Sequence, residues 1–157
     1  MAIDFITDQL ALGGLDDVSS PKALRAARID FVLSLAPDVK VEGLRQVFLP
    51  VADREPLPGT VIEQAVQLID TEISAGRRVL VHCSQGTSRS PAIAICYLHQ
   101  CHEISVTQAL AMVQRARPQA APHPALLASI VDYYDCDWPS GYLAPVGPGS
   151  VTRAYRL

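Results

Sequence analysis

His82-Cys83-Ser84-Gln85-Gly86-Thr87-Ser88-Arg89-Ser90-Pro91 is the stretch on which the reading of this chain turns. The apolar run Val79-Leu80-Val81 before it has the length and composition of a buried strand. Pro91-Ala92-Ile93-Ala94-Ile95 after it opens a helical pattern. A cysteine, a set of small or polar residues and an arginine therefore occupy the turn from a strand into a helix N-terminus. Backbone N–H groups converge at such a turn, and the helix dipole adds partial positive charge, so an anion binds there. The same field favours a thiolate over a thiol, which makes Cys83 a candidate nucleophile for phosphate chemistry.

Outward from this loop, strands and helices alternate. Residues 4–12 alternate around Phe5, Ile6, Leu10 and Leu12 before Gly13-Gly14, which predicts a hairpin or edge strand. Ser20-Pro21 forms an N-cap and first-turn pair for a helix reaching about Arg28. Phe31-Val32-Leu33 and Val47-Phe48-Leu49 are further strand candidates, and the proline-rich residues 50–59 read as a loop. Thr60-Val61-Ile62-Glu63 has the form of a capping box for a helix buried through Ile62, Val66, Ile69 and Ile73 and stopped at Gly76. Strand 77–82, a helix to Cys101, a helix capped by Ser105 and Gln108, and a helix over 124–135 complete the pattern. Val106, Leu110 and Val113 form the buried stripe of the helix capped by Ser105. The prediction is an α/β fold with one domain over residues 1–136: a central, mostly parallel, twisted sheet flanked by helices on both faces. Residues 137–157 read as a Pro/Gly-rich tail that packs through Trp138 and Tyr142 or stays mobile.

Composition narrows the function. A chain of 157 residues with 49% hydrophobic residues is large enough for a core without disulfides or a structural metal. A net charge of −3 gives no general footprint for nucleic acid or an anionic membrane. Lys22 and Lys40 are the lysines, against eleven arginines, a bias read as a coding preference of the source genome. Cys83, Cys96, Cys101 and Cys136 lack paired spacing and suggest no secreted disulfide framework. Neither a signal peptide, a myristoylation glycine nor an apolar run of membrane-spanning length is visible. A monomer in the reducing cytoplasm is the expectation.

Hydrolysis of a phosphate monoester through cysteine needs a thiolate, a cradle for phosphoryl oxygens, an acid for the leaving group and a means of releasing phosphate from sulfur. Cys83 provides the first, and the backbone of Ser84, Gln85, Gly86, Thr87, Ser88 and Arg89 the second, Gly86 allowing the tight bend. The planar fork of Arg89 matches two phosphoryl oxygens. Ser90 stands beside it, although a serine ahead of Pro91 also fits a plain helix N-cap. His82 either bonds backbone at the strand end or positions the thiolate, and both readings stand. The acid is sought on a separate loop, where Asp53 is the best placed carboxylate and Glu55 the second. His99, Cys101 and His102 do not have zinc-site spacing, so neither a metal nor another cofactor is expected.

The run from His82-Cys83 to Arg89-Ser90 resembles the HCxxGxxRS motif of protein tyrosine phosphatases, and Gly-Thr-Ser-Arg-Ser-Pro resembles the dual-specificity branch, small atypical type. The resemblance extends over about residues 3–135. Ile6 through Gly14 is similar to that family's opening strand and turn, and Ala116-Arg117-Pro118 followed by Ala121-Pro122-His123-Pro124 to its penultimate helix end. His123 stands where many members carry Asn, and Cys96-Tyr97-Leu98-His99 replaces a more usual Ala-Tyr-Leu-Met. The resemblance implies a protein tyrosine phosphatase-like fold with Cys83 as nucleophile, Arg89 as phosphate-binding arginine, Asp53 as acid and then base, and Ser90 assisting release of the phosphocysteine. It implies phosphotyrosine, phosphoserine or phosphothreonine in a protein or peptide as substrate, without a cofactor.

Rival readings use similar parts. A phosphoinositide or carbohydrate phosphatase shares the machinery, but the neutral Ser84, Gln85, Thr87 and Ser88 lack the lysines expected opposite extra lipid phosphates. A sulfurtransferase also uses a cysteine loop, without this motif and upstream acid. Low-molecular-weight phosphatases place the loop near the N-terminus. A non-catalytic phosphoprotein-binding module usually loses the cysteine or the acid, and this chain keeps both.

Overall fold

A computed structural model describes residues 2–142. Its sheet has the order β1-β2-β5-β3-β4, formed by β1 (Asp4–Phe5), β2 (Leu10–Gly13), β3 (Phe31–Ser34), β4 (Arg45–Phe48) and β5 (Val79–His82). β1 pairs antiparallel with β2, and every other pairing is parallel. The strand that leads into the cysteine is central, with Gly13 and Ser34 in register with His82 on its two sides. Parallel strands end together, so β2, β5 and β3 deliver their following loops to one carboxyl-end crevice, where ligands bind in open α/β sheets.

Alternation along the strands divides the interior in two. Ala11, Val32 and Leu80 face a smaller layer with Val18 of α1 (Leu15–Val18) and Leu24 of α2 (Pro21–Ala26). Leu10, Leu12, Phe31, Leu33, Val79 and Val81 face the larger layer. That layer holds α3 (Gly59–Ser74), α4 (Arg89–Cys101), α5 (Val106–Ala116) and α6 (Pro124–Tyr133). Both faces are covered, which is why β5 is apolar from Val79 to Val81 rather than alternating. Each such aliphatic side chain, removed from water, contributes on the order of 1.5–3 kcal/mol before entropy is counted.

α4 is buried continuously from Ser90 to Leu98 and packs against α3, α5 and α6. A helix apolar on all sides belongs in a core, and its fixed axis aims its N-terminus at the crevice. α5 is capped as its sequence predicts, with Ser105 Oγ accepting from the Gln108 N–H and Gln108 Oε1 from the Ser105 N–H. Ser20 likewise accepts from the Ala23 N–H at the start of α2.

Residues 4–13 form the expected hairpin, with β1 at the sheet edge and β2 inside it. Several boundaries differ from the sequence reading. α3 begins at Gly59 behind Pro58, and no side-chain cap is made, so Thr60 lies within the helix and the expected capping box is absent. Tertiary contacts set that start: Leu57 N–H donates to Ser129 Oγ, and Gly59 lies against the Tyr133 ring. The strand over 77–82 shortens to 79–82. α4 starts at Arg89 with Ser88 as N-cap, so Ser90 is not a cap. Beyond Cys136, Trp138 is buried and donates to the Tyr142 carbonyl, while the Tyr142 hydroxyl bonds the Pro122 carbonyl. Residues 143–157 of the expected tail lie outside the described residues.

Candidate active site

The loop from Cys83 to Ser88 is held from outside by its carbonyl groups. The Ser84 carbonyl accepts from Leu15 N–H at 2.8 Å, the Gln85 carbonyl from Arg117 Nη2 at 3.0 Å and the Gly86 carbonyl from Arg117 Nε at 2.8 Å. In a trans peptide the carbonyl and the next N–H point oppositely. Tying these carbonyls outward therefore turns the N–H groups of Gln85, Gly86 and Thr87 inward, as an anion cradle requires. Gly86 has φ +71°, and a Cβ there would lie 2.6 Å from the Gly13 carbonyl oxygen and 2.7 Å from Arg117 Nη2. No other residue fits.

Cys83 is 2% exposed, with Sγ 3.4 Å from Ser90 Oγ. Burial alone pushes its pKa up. Hydrogen bonds from the Ser90 hydroxyl and from the Ser90 and Gly86 N–H groups, with the Arg89 charge, outweigh that and hold the thiol below its ordinary value. Cys96, Cys101 and Cys136 are all pushed up by burial. Of the four cysteines, Cys83 is thus the one whose surroundings favour the thiolate. Removing a donor to the anion raises its pKa, so Ser90→Ala should move the pH midpoint of Cys83 alkylation by iodoacetamide upward; an unmoved midpoint would remove Ser90 from thiolate stabilisation.

Arg89 sits at the mouth of the cradle, donating from Nη1 to the Val51 carbonyl and from Nη2 to Ser84 Oγ, both at 3.3 Å. Its Nε lies 4.0 Å from Asp53 Oδ1. Asp53 is half exposed on the loop before α3, facing a cavity of about 230 Å³ lined also by Arg54, Cys83, Ser84, Gln85, Thr87, Ser88 and Arg89. Glu55 is exposed and does not line this cavity. A larger cavity of about 490 Å³ lies between β4 and α3, away from the cysteine. Its charges, Arg45 and Glu72, already pair at 2.7 Å, and no cysteine lines it.

A thiol of lowered pKa, an arginine and a carboxylate thus share one small cavity at the carboxyl end of the sheet. Residues 10–136 match the family model described as dual specificity phosphatase, catalytic domain. The chain belongs to the dual-specificity phosphatase family. It is 30% identical to dual specificity protein phosphatase 1B of Arabidopsis thaliana over 82% of this chain and 79% of that protein. Dual specificity protein phosphatase Mpk3 of Drosophila melanogaster is 28% identical over 83% of this chain, which spans 33% of that longer protein. The crystal structure of human DUSP28 superposes with a TM-score of 0.77 at 24% identity, covering 86% of this chain and 94% of that one, a likeness of fold. The protein is a cysteine-dependent phosphatase of this family, and no helix among the described residues is long and apolar enough to cross a membrane.

Within this dual-specificity phosphatase, sequence reasoning missed the residues that hold the cradle. Arg117, fully buried, donates from Nη1 to Asp4 Oδ2 at 2.7 Å and to the Ala2 carbonyl at 2.9 Å, besides its two cradle bonds. Asp17, also buried, accepts from the Gly14 N–H at 2.8 Å and so fixes the turn whose Leu15 grips Ser84. Behind the cysteine, hydrogen-bond directions determine the His82 tautomer. Val41 N–H donates to Gln46 Oε1, which fixes the amide so that its Nε2 donates to Ser34 Oγ at 2.8 Å. His82 Nδ1 faces the Cys83 carbonyl, an acceptor only, at 3.4 Å, so the proton of the neutral ring sits on Nδ1 and Nε2 accepts from the Ser34 hydroxyl at 2.6 Å. Burial holds the His82 pKa below its ordinary value, against opposing effects of the Cys83 carbonyl and Asp17. His99 is engaged elsewhere, with Nδ1 2.7 Å from the Ile104 carbonyl.

Proposed function

We propose that this phosphatase hydrolyses phosphotyrosine, and phosphoserine or phosphothreonine, in proteins through a phosphocysteine intermediate. The carrying observation is the meeting of Cys83, Arg89 and Asp53 around one cavity, with Ser90 Oγ 3.4 Å from the sulfur. The Cys83 thiolate attacks phosphorus while the bond to the ester oxygen breaks, and protonated Asp53 gives that oxygen its proton. Arg89 and the inward N–H groups of the cradle meet the charge on the equatorial oxygens, where preorganised donors act most strongly. Asp53, now a carboxylate, then takes a proton from water as the water oxygen attacks phosphorus. The P–S bond breaks, and the Ser90 hydroxyl donates to the departing thiolate.

Ser84, Gln85, Thr87 and Ser88 bring no cation to the cradle, which supports a phosphoprotein rather than a polyphosphorylated lipid. We read residues 1–136 as the catalytic domain of a monomer working in a reducing compartment.

Leaving-group dependence tests the assignment of the acid. Asp53→Asn should lower kcat/KM by about 10²–10³ for aryl phosphates with basic leaving groups and very little for the most acidic phenols. A uniform loss, or none, would place the acid elsewhere, with Glu55 next to be examined.

A further inference from the structure

β4 ends one side of the sheet, and no strand pairs with its outer edge among the described residues. The Leu49 and Val51 N–H groups donate inward, to the Ser34 carbonyl at 2.9 Å and the Leu35 carbonyl at 3.0 Å. In an extended strand the backbone groups of successive residues face opposite edges. Those of Gln46 and Phe48 therefore face outward, and Pro50, which has no N–H to leave open, takes the next outward place. Open edges are commonly blunted by charge, proline or a covering element. Here Phe48 lies 40% exposed on the bare stretch.

The cavity of about 490 Å³ between β4 and α3 is bounded by this same strand. Val47 and Leu49 line it from β4, and Gln64, Leu68 and Thr71 from α3. A strand added to β4 sends every second side chain toward that groove, the way extended peptides are read on sheet edges. At one end, Arg45 Nη1 and Arg77 Nη1 both donate to the buried carboxylate of Glu72, at 2.7 and 3.2 Å. Two guanidiniums against one carboxylate leave positive charge in excess, and the Arg45 side chain is 60% exposed.

The possible occupants differ in what they bring to that charge. A second copy paired through this edge about a two-fold axis sets Arg45 opposite another Val47, Leu49 or Val51, which offers no anion. Residues 143–157 contain Arg153 and Arg156 and no acidic side chain. A segment of another protein can supply both the apolar side chains and the acid.

We propose that the β4 edge and this groove form a docking site for an extended segment of a protein partner. The segment adds a strand to β4, with apolar side chains in the groove and a carboxylate on Arg45. From Leu49 to Asp53 the chain spans at most roughly 14 Å, so a partner held here is presented beside the catalytic cavity. The docking site stands apart from the way the cysteine acts and from the residue it dephosphorylates.

A random library of peptides about nine residues long tests it, selected on the full chain with inorganic phosphate filling the catalytic cavity. Recovered peptides should alternate apolar residues with others and carry Asp or Glu at one end of the run. Replacing that acid by Gln should weaken binding about fivefold, the scale of one exposed ion pair. Phe48→Pro removes an outward N–H that no ladder bond uses, and should weaken binding about tenfold or more. Phe48→Ala keeps that N–H and should cost about threefold or less. Leu68→Lys, on the helix wall, should weaken binding without altering the strand. Unchanged Tm and aryl phosphate turnover establish that each variant is intact; if Phe48→Pro does not fold, Leu68→Lys decides. No enrichment, peptides without an acid, or binding indifferent to these substitutions overturns the proposal. Tighter binding of a peptide of residues 143–157 would give the edge to this chain's own end, and dimerisation abolished by Phe48→Pro would give it to a second copy. Either result overturns the partner.

Discussion

Cys83→Ser should reduce aryl phosphate turnover by on the order of 10⁴-fold or more, the scale lost when a covalent nucleophile is removed. A hydroxyl in that place keeps the shape but not the anion: serine does not ionise near neutrality, and no side chain here is placed as its base. The neighbouring histidine cannot serve, because His82 Nε2 is engaged by Ser34 and its Nδ1 faces backbone. The cradle itself is held by Arg117, Leu15 and Gly86, none of which depends on the sulfur. The variant should therefore keep its thermal stability and still bind vanadate or phosphate. Residual turnover within tenfold of wild type would contradict a covalent role for Cys83.

The second large effect belongs to a residue remote in sequence. Arg117→Met should destabilise the fold by about 3 kcal/mol, the lower part of the range for breaking a buried ion pair. The lower part applies because Asp4 keeps 27% side-chain exposure and can recover water, whereas Arg117 has none. For a chain of this size that corresponds to a fall in Tm of roughly 6–12 °C. Activity should fall further than stability explains, because the Gln85 and Gly86 carbonyls lose the donors that turn the next N–H groups inward. Arg117→Lys should not restore it: a single ammonium cannot meet Asp4, Ala2, Gln85 and Gly86 together. Unfolding and steady-state kinetics on the same variant separate the two effects, and a fall in Tm with unchanged kcat/KM would reduce Arg117 to a structural strut.

The strand-turn-helix around Cys83 was legible because its signal is local. An apolar run, a cysteine, a glycine at a forced turn and a serine-proline pair lie within one short stretch. The buried stripes of α3 and α5 were legible for the same reason, since periodicity is written along a single helix. What stayed hidden is what the fold brings together. Arg117 reads as a charge at a helix end until β1 and the cradle close over it. Ser34 and Gln46 belong to different strands and meet His82 only through parallel register. The short α1 gives too little periodicity to be seen, yet its first N–H, on Leu15, holds Ser84 and its Asp17 fixes the turn. Thr60 has the composition of an N-cap, but the start of α3 is set two residues earlier, where Ser129 and Tyr133 hold Leu57 and Gly59.

Passage of the phosphoryl group through sulfur is open to trapping by rapid acid quench of Ser90→Ala, in which release from the cysteine should be slowed, reacted with an aryl phosphate and followed by peptide mass analysis. A burst of phenol is expected, together with a phosphorylated peptide containing Cys83 that is absent from Cys83→Ser. Turnover without a burst and without phosphate on Cys83, under conditions where Asp53→Asn still alters the leaving-group dependence, would contradict it and point to direct attack by water.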